Sequence, residues 1–248
     1  MTVTDTVSPS TETAHPALEL RGVSSAYGET QVLRDVSIAV PPGSVTALIG
    51  PNGAGKTTSL RVASGLVKPT SGEVLLHGQP VTGWSPHRLA GRGLCHVPEG
   101  RGVYRNLTVE ENLTMMSPPG SVAEGIEKAT ATFPILGDRL KQKAGTLSGG
   151  EQQMLSLSAA YLRKPTIVLV DEPSLGLAPI IVDLVFDFLK TLKAEGIALL
   201  LVDQYALRTL SIADTAYVLR RGQIAYTGSA QELLQGDMFE QYIGEGVS

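Results

Sequence analysis

The chain has 248 residues, 42% of them hydrophobic and 18% charged, with a formal net charge of −4 at pH 7. That length supports a sizeable α/β core, and the mild acidity leaves no overall electrostatic footprint for nucleic acid. Cys95 is the single cysteine, so no intramolecular disulfide can form and a reducing compartment is expected. Apolar runs such as 197–202 are of strand length, too short to cross a membrane, and any membrane role must come through partners.

Residues 1–16 are rich in Ser and Thr, lack a basic start and carry no apolar stretch. They are expected to form a disordered tail rather than a signal peptide, ahead of a folded domain over 17–248. Short β-type segments at 18–20 and 36–40, closed by Pro41-Pro42-Gly43, predict an antiparallel β layer. Tyr27 falls in the loop expected between them. Its ring can stack on a nucleotide base or pack at a sheet edge, and position alone does not decide between the two.

The apolar run 45–49 opens into Gly50-Pro51-Asn52-Gly53-Ala54-Gly55-Lys56-Thr57-Thr58, followed by a helical pattern. Gly50, Gly55, Lys56 and Thr57 satisfy G-x-x-x-x-G-K-[ST], a P-loop. Its glycines let consecutive backbone N–H groups face a phosphate, Lys56 supplies a cation for the β- and γ-phosphates, and the Thr57 hydroxyl is a ligand for Mg²⁺. Further on, 72–78 and 93–97 are expected as strands, and from about 100 to 146 the sequence turns helical, with a capping box from Thr108 to Glu111. That places a helical lobe between two parts of the α/β core.

Leu147-Ser148-Gly149-Gly150-Glu151-Gln152-Gln153 starts another helix, again with a capping box, from Ser148 to Glu151. Paired glycines at a helix N-terminus also leave N–H groups open to an anion. The apolar run 166–170 ends in Asp171-Glu172, two acids at the carboxyl end of a strand. Asp171 there can hold the hydration shell of Mg²⁺, and Glu172 can orient or deprotonate an attacking water. Pro179 opens a helix with an apolar stripe at Ile181, Val185, Phe188 and Leu192. The run 197–202 ends at a second polar pair, Asp203-Gln204, and 217–226 reads as a hairpin turning at Arg221-Gly222.

With these three motifs in this order, the chain from about residue 18 to 243 resembles the ATP-binding subunits of ABC transporters. The resemblance implies an α/β fold, a P-loop NTPase core of ABC type with an antiparallel β subdomain and a helical subdomain over about 100–146. It implies ATP and Mg²⁺ as cofactors and a head-to-tail dimer, in which Ser148-Gly149-Gly150 of one ATPase closes on the γ-phosphate held by the other. It assigns base stacking to Tyr27 and makes the helical lobe the part that meets the membrane subunits.

Two positions depart from the general pattern of that family: Glu99 stands where a Gln is usual, a carboxylate that can bind Mg²⁺ or its water or else be a solvated loop acid, and Gln204 where a catalytic His is usual. The stretches 98–104, 172–179 and 202–204 are similar to the branched-chain amino-acid importer ATPases, which carry both changes, and in particular to the smaller of the importer's two ATPases. Branches serving urea or short amides look similar too. This implies two permease subunits, a second ATPase, an indirect link to a solute-binding protein, and a peripheral position on the cytoplasmic face of the membrane. A soluble ABC ATPase acting on ribosomes or DNA, and a catalytically silent subunit, are the competing expectations.

Overall fold

The computed structural model describes residues 15–99, 102–203 and 206–235. The most apolar runs of the sequence form the centre of one sheet. β3 (Val45–Ile49), β7 (Ile167–Asp171) and β8 (Ala198–Val202) are buried at every position, as parallel strands covered on both faces must be. With β6 (Leu94–Val97), β9 (Thr215–Arg220) and β10 (Gln223–Ser229) they make a six-stranded sheet in the order β10-β9-β3-β8-β7-β6. All its pairings are parallel except the β9–β10 hairpin.

Alternation with period two sends Val168, Val170, Leu199 and Leu201 to one face, beneath α6 (Gly149–Leu162) and α7 (Pro179–Ala194). Ile167, Leu169, Leu200 and Val202 face the other way, towards α1 (Lys56–Ala63) and a second sheet. Ala47 and Ile49 of β3 meet a third cluster with α8 (Ala206–Ile212) and α9 (Ala230–Gln235). Because β3, β8 and β7 are neighbours and parallel, the segments leaving their carboxyl ends emerge on one edge of the sheet, where such folds place ligands.

The second sheet is antiparallel and four-stranded, in the order β2-β1-β4-β5, from β1 (Leu18–Tyr27), β2 (Thr30–Val40), β4 (Ser71–Leu76) and β5 (Gln79–Pro80). β1 and β2 run well beyond the expected segments 18–20 and 36–40. The reason is local: Gly22 (φ 57°) and Asp35 (φ 53°) look like turn residues in sequence but sit where the β1–β2 register shifts, so the chain bulges without leaving the ladder. Tyr27 is therefore not in a loop. It ends β1 opposite Thr30 and is 44% exposed. Across the two sheets, Ala39 N–H donates to the Tyr217 hydroxyl at 3.1 Å.

Between β6 and α6 lie α3 (Val109–Met116), α4 (Val122–Thr132) and α5 (Pro134–Asp138). Leu113, Met116, Ala129, Phe133 and Leu136 join them to the α6–α7 cluster, and the Phe133 and Phe188 rings stand 5.0 Å apart. The Thr108 capping box forms in both directions, as its spacing predicts. α2 (Pro86–Ala90) and α8 were not anticipated. Cys95 is core, its thiol pushed up to about 11 by burial. Most of the expected tail, 1–14, lies outside the described residues, and so do Gly100, Arg101 and Gln204. Among the described residues no helix is long and apolar enough to cross a membrane.

Candidate nucleotide site

The loop from Gly50 to Gly55 is shaped by positive φ at Gly50, Gly53 and Gly55 and by a close backbone approach at Gly50. Gly50 has φ 152°, and a Cβ there would lie 2.1 Å from Leu219 O in β9. Gly55, at φ 109°, is the N-cap of α1, and a Cβ on it would meet Leu33 at 2.7 Å. The tip of the β9–β10 hairpin supports the loop from below: Gly222 N–H donates to Ala54 O at 3.0 Å, while Arg34 N–H donates to Gly222 O at 2.8 Å. Pro51, Asn52 and Gly53 form the exposed crest; Ala54, Gly55 and Thr58 are buried beneath it.

Lys56 is 5% exposed, and its ammonium donates to Gly50 O at 2.8 Å and Pro51 O at 3.2 Å. Burial lowers its pKa, while Glu172, Asp171 and Asp203 pull the other way. The cation is thus held inside the curl of the loop and faces the acids at the strand ends.

Next to it, the Thr57 hydroxyl donates to Asp171 Oδ1 at 3.3 Å. Asp171 is 2% exposed, and its pKa is raised to about 6. Burial is the main cause, with Glu172 and Glu99 adding to it against the Thr57 hydrogen bond and Arg61. Glu172 follows in a left-handed conformation at φ 47°, its N–H donating to Val202 O at 2.7 Å. Burial, then Glu99 and Asp203, raise its pKa against the pull of Lys56. Glu99, exposed just beyond the end of β6, is the outermost of these carboxylates. A hydroxyl and a carboxylate side by side are a hard-oxygen donor set that suits a hard divalent cation. No cluster of three His, Cys, Asp or Glu ligands occurs among the described residues, so such an ion would draw its other ligands from phosphate and water.

Ser148 caps α6: its hydroxyl accepts from Glu151 N–H at 3.3 Å and its N–H donates to Glu151 Oε2 at 2.7 Å. Burial acts against ionisation of Glu151, but the Ser148 hydrogen bonds and the charge of Arg139 hold its carboxyl below the usual range. Gly149 begins the helix, and a Cβ at Gly150 would meet Ile181 of α7 at 2.7 Å. The Gln152 amide donates to Ala144 O at 3.0 Å and Leu147 O at 3.1 Å, fastening the helix start to the turn before it. Leu147 itself is buried. The structure therefore joins Gly50 to Thr58 with Asp171, Glu172 and Glu99, and carries residues 147–152 on a separate helix start. Two contributors escaped the sequence reading, the Leu219–Gly222 support under the P-loop and the Ser174–Asp203 contact beside Glu172. Neither carries a local motif.

A P-loop after β3 and two acids at the end of β7, beyond β8 along the same sheet edge, define a nucleotide-binding P-loop protein. The sequence pattern of the family described as "ABC transporter" matches residues 33–175, more than half of the chain. The chain belongs to the ABC transporter family. It is 42% identical over 215 residues to the high-affinity branched-chain amino acid transport ATP-binding protein BraG of Pseudomonas aeruginosa, covering 86% of this chain and 92% of that one. It is 39% identical over 223 residues to the probable branched-chain amino acid transport ATP-binding protein LivF of Archaeoglobus fulgidus, covering 88% and 94%. The fold superposes on the crystal structure of the ADP conformation of MJ1267, an ATP-binding cassette of an ABC transporter, with TM-score 0.77 and 30% identity over 92% of this chain and 99% of that one.

Proposed function

We propose that this chain is the ATP-binding and ATP-hydrolysing subunit of an ABC importer for branched-chain or other hydrophobic amino acids. The observation that carries the ATPase assignment is the meeting of Lys56 and Thr57 with Asp171 and Glu172 at one sheet edge. The cargo class rests on the two relatives that are 42% and 39% identical. On this reading the N–H groups of the P-loop and the start of α1 bind the β- and γ-phosphates of ATP, and Lys56 exchanges its loop carbonyls for phosphate oxygens. Thr57 and Asp171 would hold Mg²⁺, with Glu99 close by; the ion supplies charge neutralisation on the phosphate oxygens. Glu172 takes the proton of the attacking water, whose oxygen bonds to the γ-phosphorus as the bond to the β-phosphate oxygen breaks, giving ADP and phosphate. Gln204 donates a hydrogen bond through its amide rather than carrying a proton.

In the same proposal Tyr27 stacks on the adenine, and residues 147–152 close on the nucleotide of a second, different ATP-binding subunit. The helical lobe, about 100–146, meets two permease subunits, and through them a solute-binding protein. The chain then sits at the cytoplasmic face of the membrane without inserting. The test is reconstitution of the chain with its permeases, second ATPase and binding protein in liposomes. ATP-dependent uptake of leucine, lost in Glu172→Gln, is the expected result. Uptake of urea or short amides in its place would overturn the cargo, and absence of ATP turnover would overturn the ATPase assignment.

A further inference from the structure

Beside the P-loop edge lies a buried contact that the proposed chemistry does not use. Ser174 and Asp203 are 1% and 2% exposed, and the Ser174 hydroxyl sits astride the Asp203 carboxylate, 2.8 Å from each oxygen. A carboxylate is costly to bury and is kept where it satisfies a specific partner. Here one such partner is the turn that carries Glu172. That turn needs holding: Glu172 is a non-glycine residue at φ 47°, a conformation that persists only where its surroundings over-determine it. Its own N–H is fixed to Val202 O at 2.7 Å. Two residues on, the Ser174 side chain is fixed to Asp203, the residue after Val202. The end of β8 thus grips the 172–174 turn at both ends, with Pro173 between.

We propose that Ser174 and Asp203 are positioning residues that clamp the turn and aim the Glu172 carboxylate at the P-loop. Neither touches the phosphates on this account; both act through Glu172. The inference rests on the reading of Glu172 as the base. It predicts that removing the Ser174 half of the clamp, which leaves the Asp203 charge beside Lys56 in place, affects the chemical step and spares nucleotide binding.

The experiment uses the assembled complex with MgATP, hydrolysis read at this chain's own P-loop site, and four variants of this chain: Ser174→Ala, Asp203→Ala, the double variant, and Asp203→Asn, which keeps an acceptor for the Ser174 hydroxyl. Ser174→Ala and Asp203→Ala should each lower kcat roughly 10- to 100-fold, up to the roughly 10²-fold that a misplacement of about 1 Å can cost, and in Ser174→Ala KM and ATP affinity should stay near wild type. The double variant should be no worse than the worse single, because both remove one contact. Asp203→Asn should keep most of the turnover. Unchanged kcat in Ser174→Ala, multiplying losses in the double variant, an Asp203→Asn as poor as Asp203→Ala, or equal losses in affinity and kcat in Ser174→Ala would each overturn the clamp. Should Asp203→Ala fail to fold, Ser174→Ala, which removes a single oxygen, decides alone. An assembled wild-type complex without turnover at this chain's site contradicts the base assignment itself; an active wild type with unaffected variants contradicts only the clamp.

Discussion

Lys56 is held by opposing forces: burial disfavours its charge, and three carboxylates, Glu172, Asp171 and Asp203, restore it. No other residue of the loop 50–58 carries a cation, so its removal leaves the phosphate charge to backbone dipoles alone. Lys56→Ala should weaken MgATP binding by at least about tenfold, equivalent to about 1.4 kcal/mol or more. Equilibrium titration with ATP measures it, and an unchanged affinity would remove Lys56 from the site. Asp171 shows the converse imbalance, an acid buried to 2% exposure whose pKa rises to about 6. A divalent cation bound between it and Thr57 would favour its ionised form and lower that pKa.

At the scale of the element, the two capping boxes offer an internal control. Thr108 and Ser148 make the same pair of hydrogen bonds, at the starts of α3 and α6. Replacing either by Ala should cost about 1 kcal/mol of stability, read from denaturant midpoints. Only Ser148→Ala is expected to lower turnover in the assembled transporter as well, since α6 alone begins with the segment proposed to close on the partner's nucleotide. Equal effects of both variants on turnover would reduce the α6 start to a plain helix cap. Both boxes were legible in the sequence because a cap is a contact over three residues. So were the P-loop and the acids after β7, where a strand and its terminal motif are contiguous. The β1–β2 hairpin was read too short, because Gly22 and Asp35 mark bulges with the same residue types that mark turns.

Over the whole molecule, what the sequence concealed is what the sheet order brings together. Leu219 and Gly222 shape the P-loop from the far end of the chain, and Asp203 reaches Ser174 only because β7 and β8 are neighbours. No local spacing encodes either contact. Burial also couples stability to pH. His96 lies on β6 with Nε2 buried and without a partner, and burial, reinforced by Arg61, lowers its pKa from 6.5 to about 4. Below 6.5 the unfolded chain takes up a proton that the folded chain refuses, so the His96 contribution falls as pH drops from 6.5 towards 4. Asp171 acts in the opposite sense: its pKa, raised from 3.8 to about 6, makes the folded state gain relative stability as pH falls across that interval. The His96 part is isolated by difference. His96→Asn should lose less stability than wild type between pH 7 and pH 5, a gap of at most about 2 kcal/mol, measured by urea denaturation at both pH values. Parallel losses in the two proteins would show that His96 is not held neutral.

The central claim is that Glu172, gripped at the end of β7 and facing Lys56, performs the chemical step while the P-loop performs the binding. Its most direct measurement is ATP affinity and single-turnover hydrolysis, side by side, for wild type and Glu172→Gln in the assembled complex. The account predicts ATP affinity close to wild type, hydrolysis at this chain's own P-loop site lower by about 10²- to 10⁴-fold, and a complex that accumulates with ATP bound there. Hydrolysis at the wild-type rate in Glu172→Gln would contradict it.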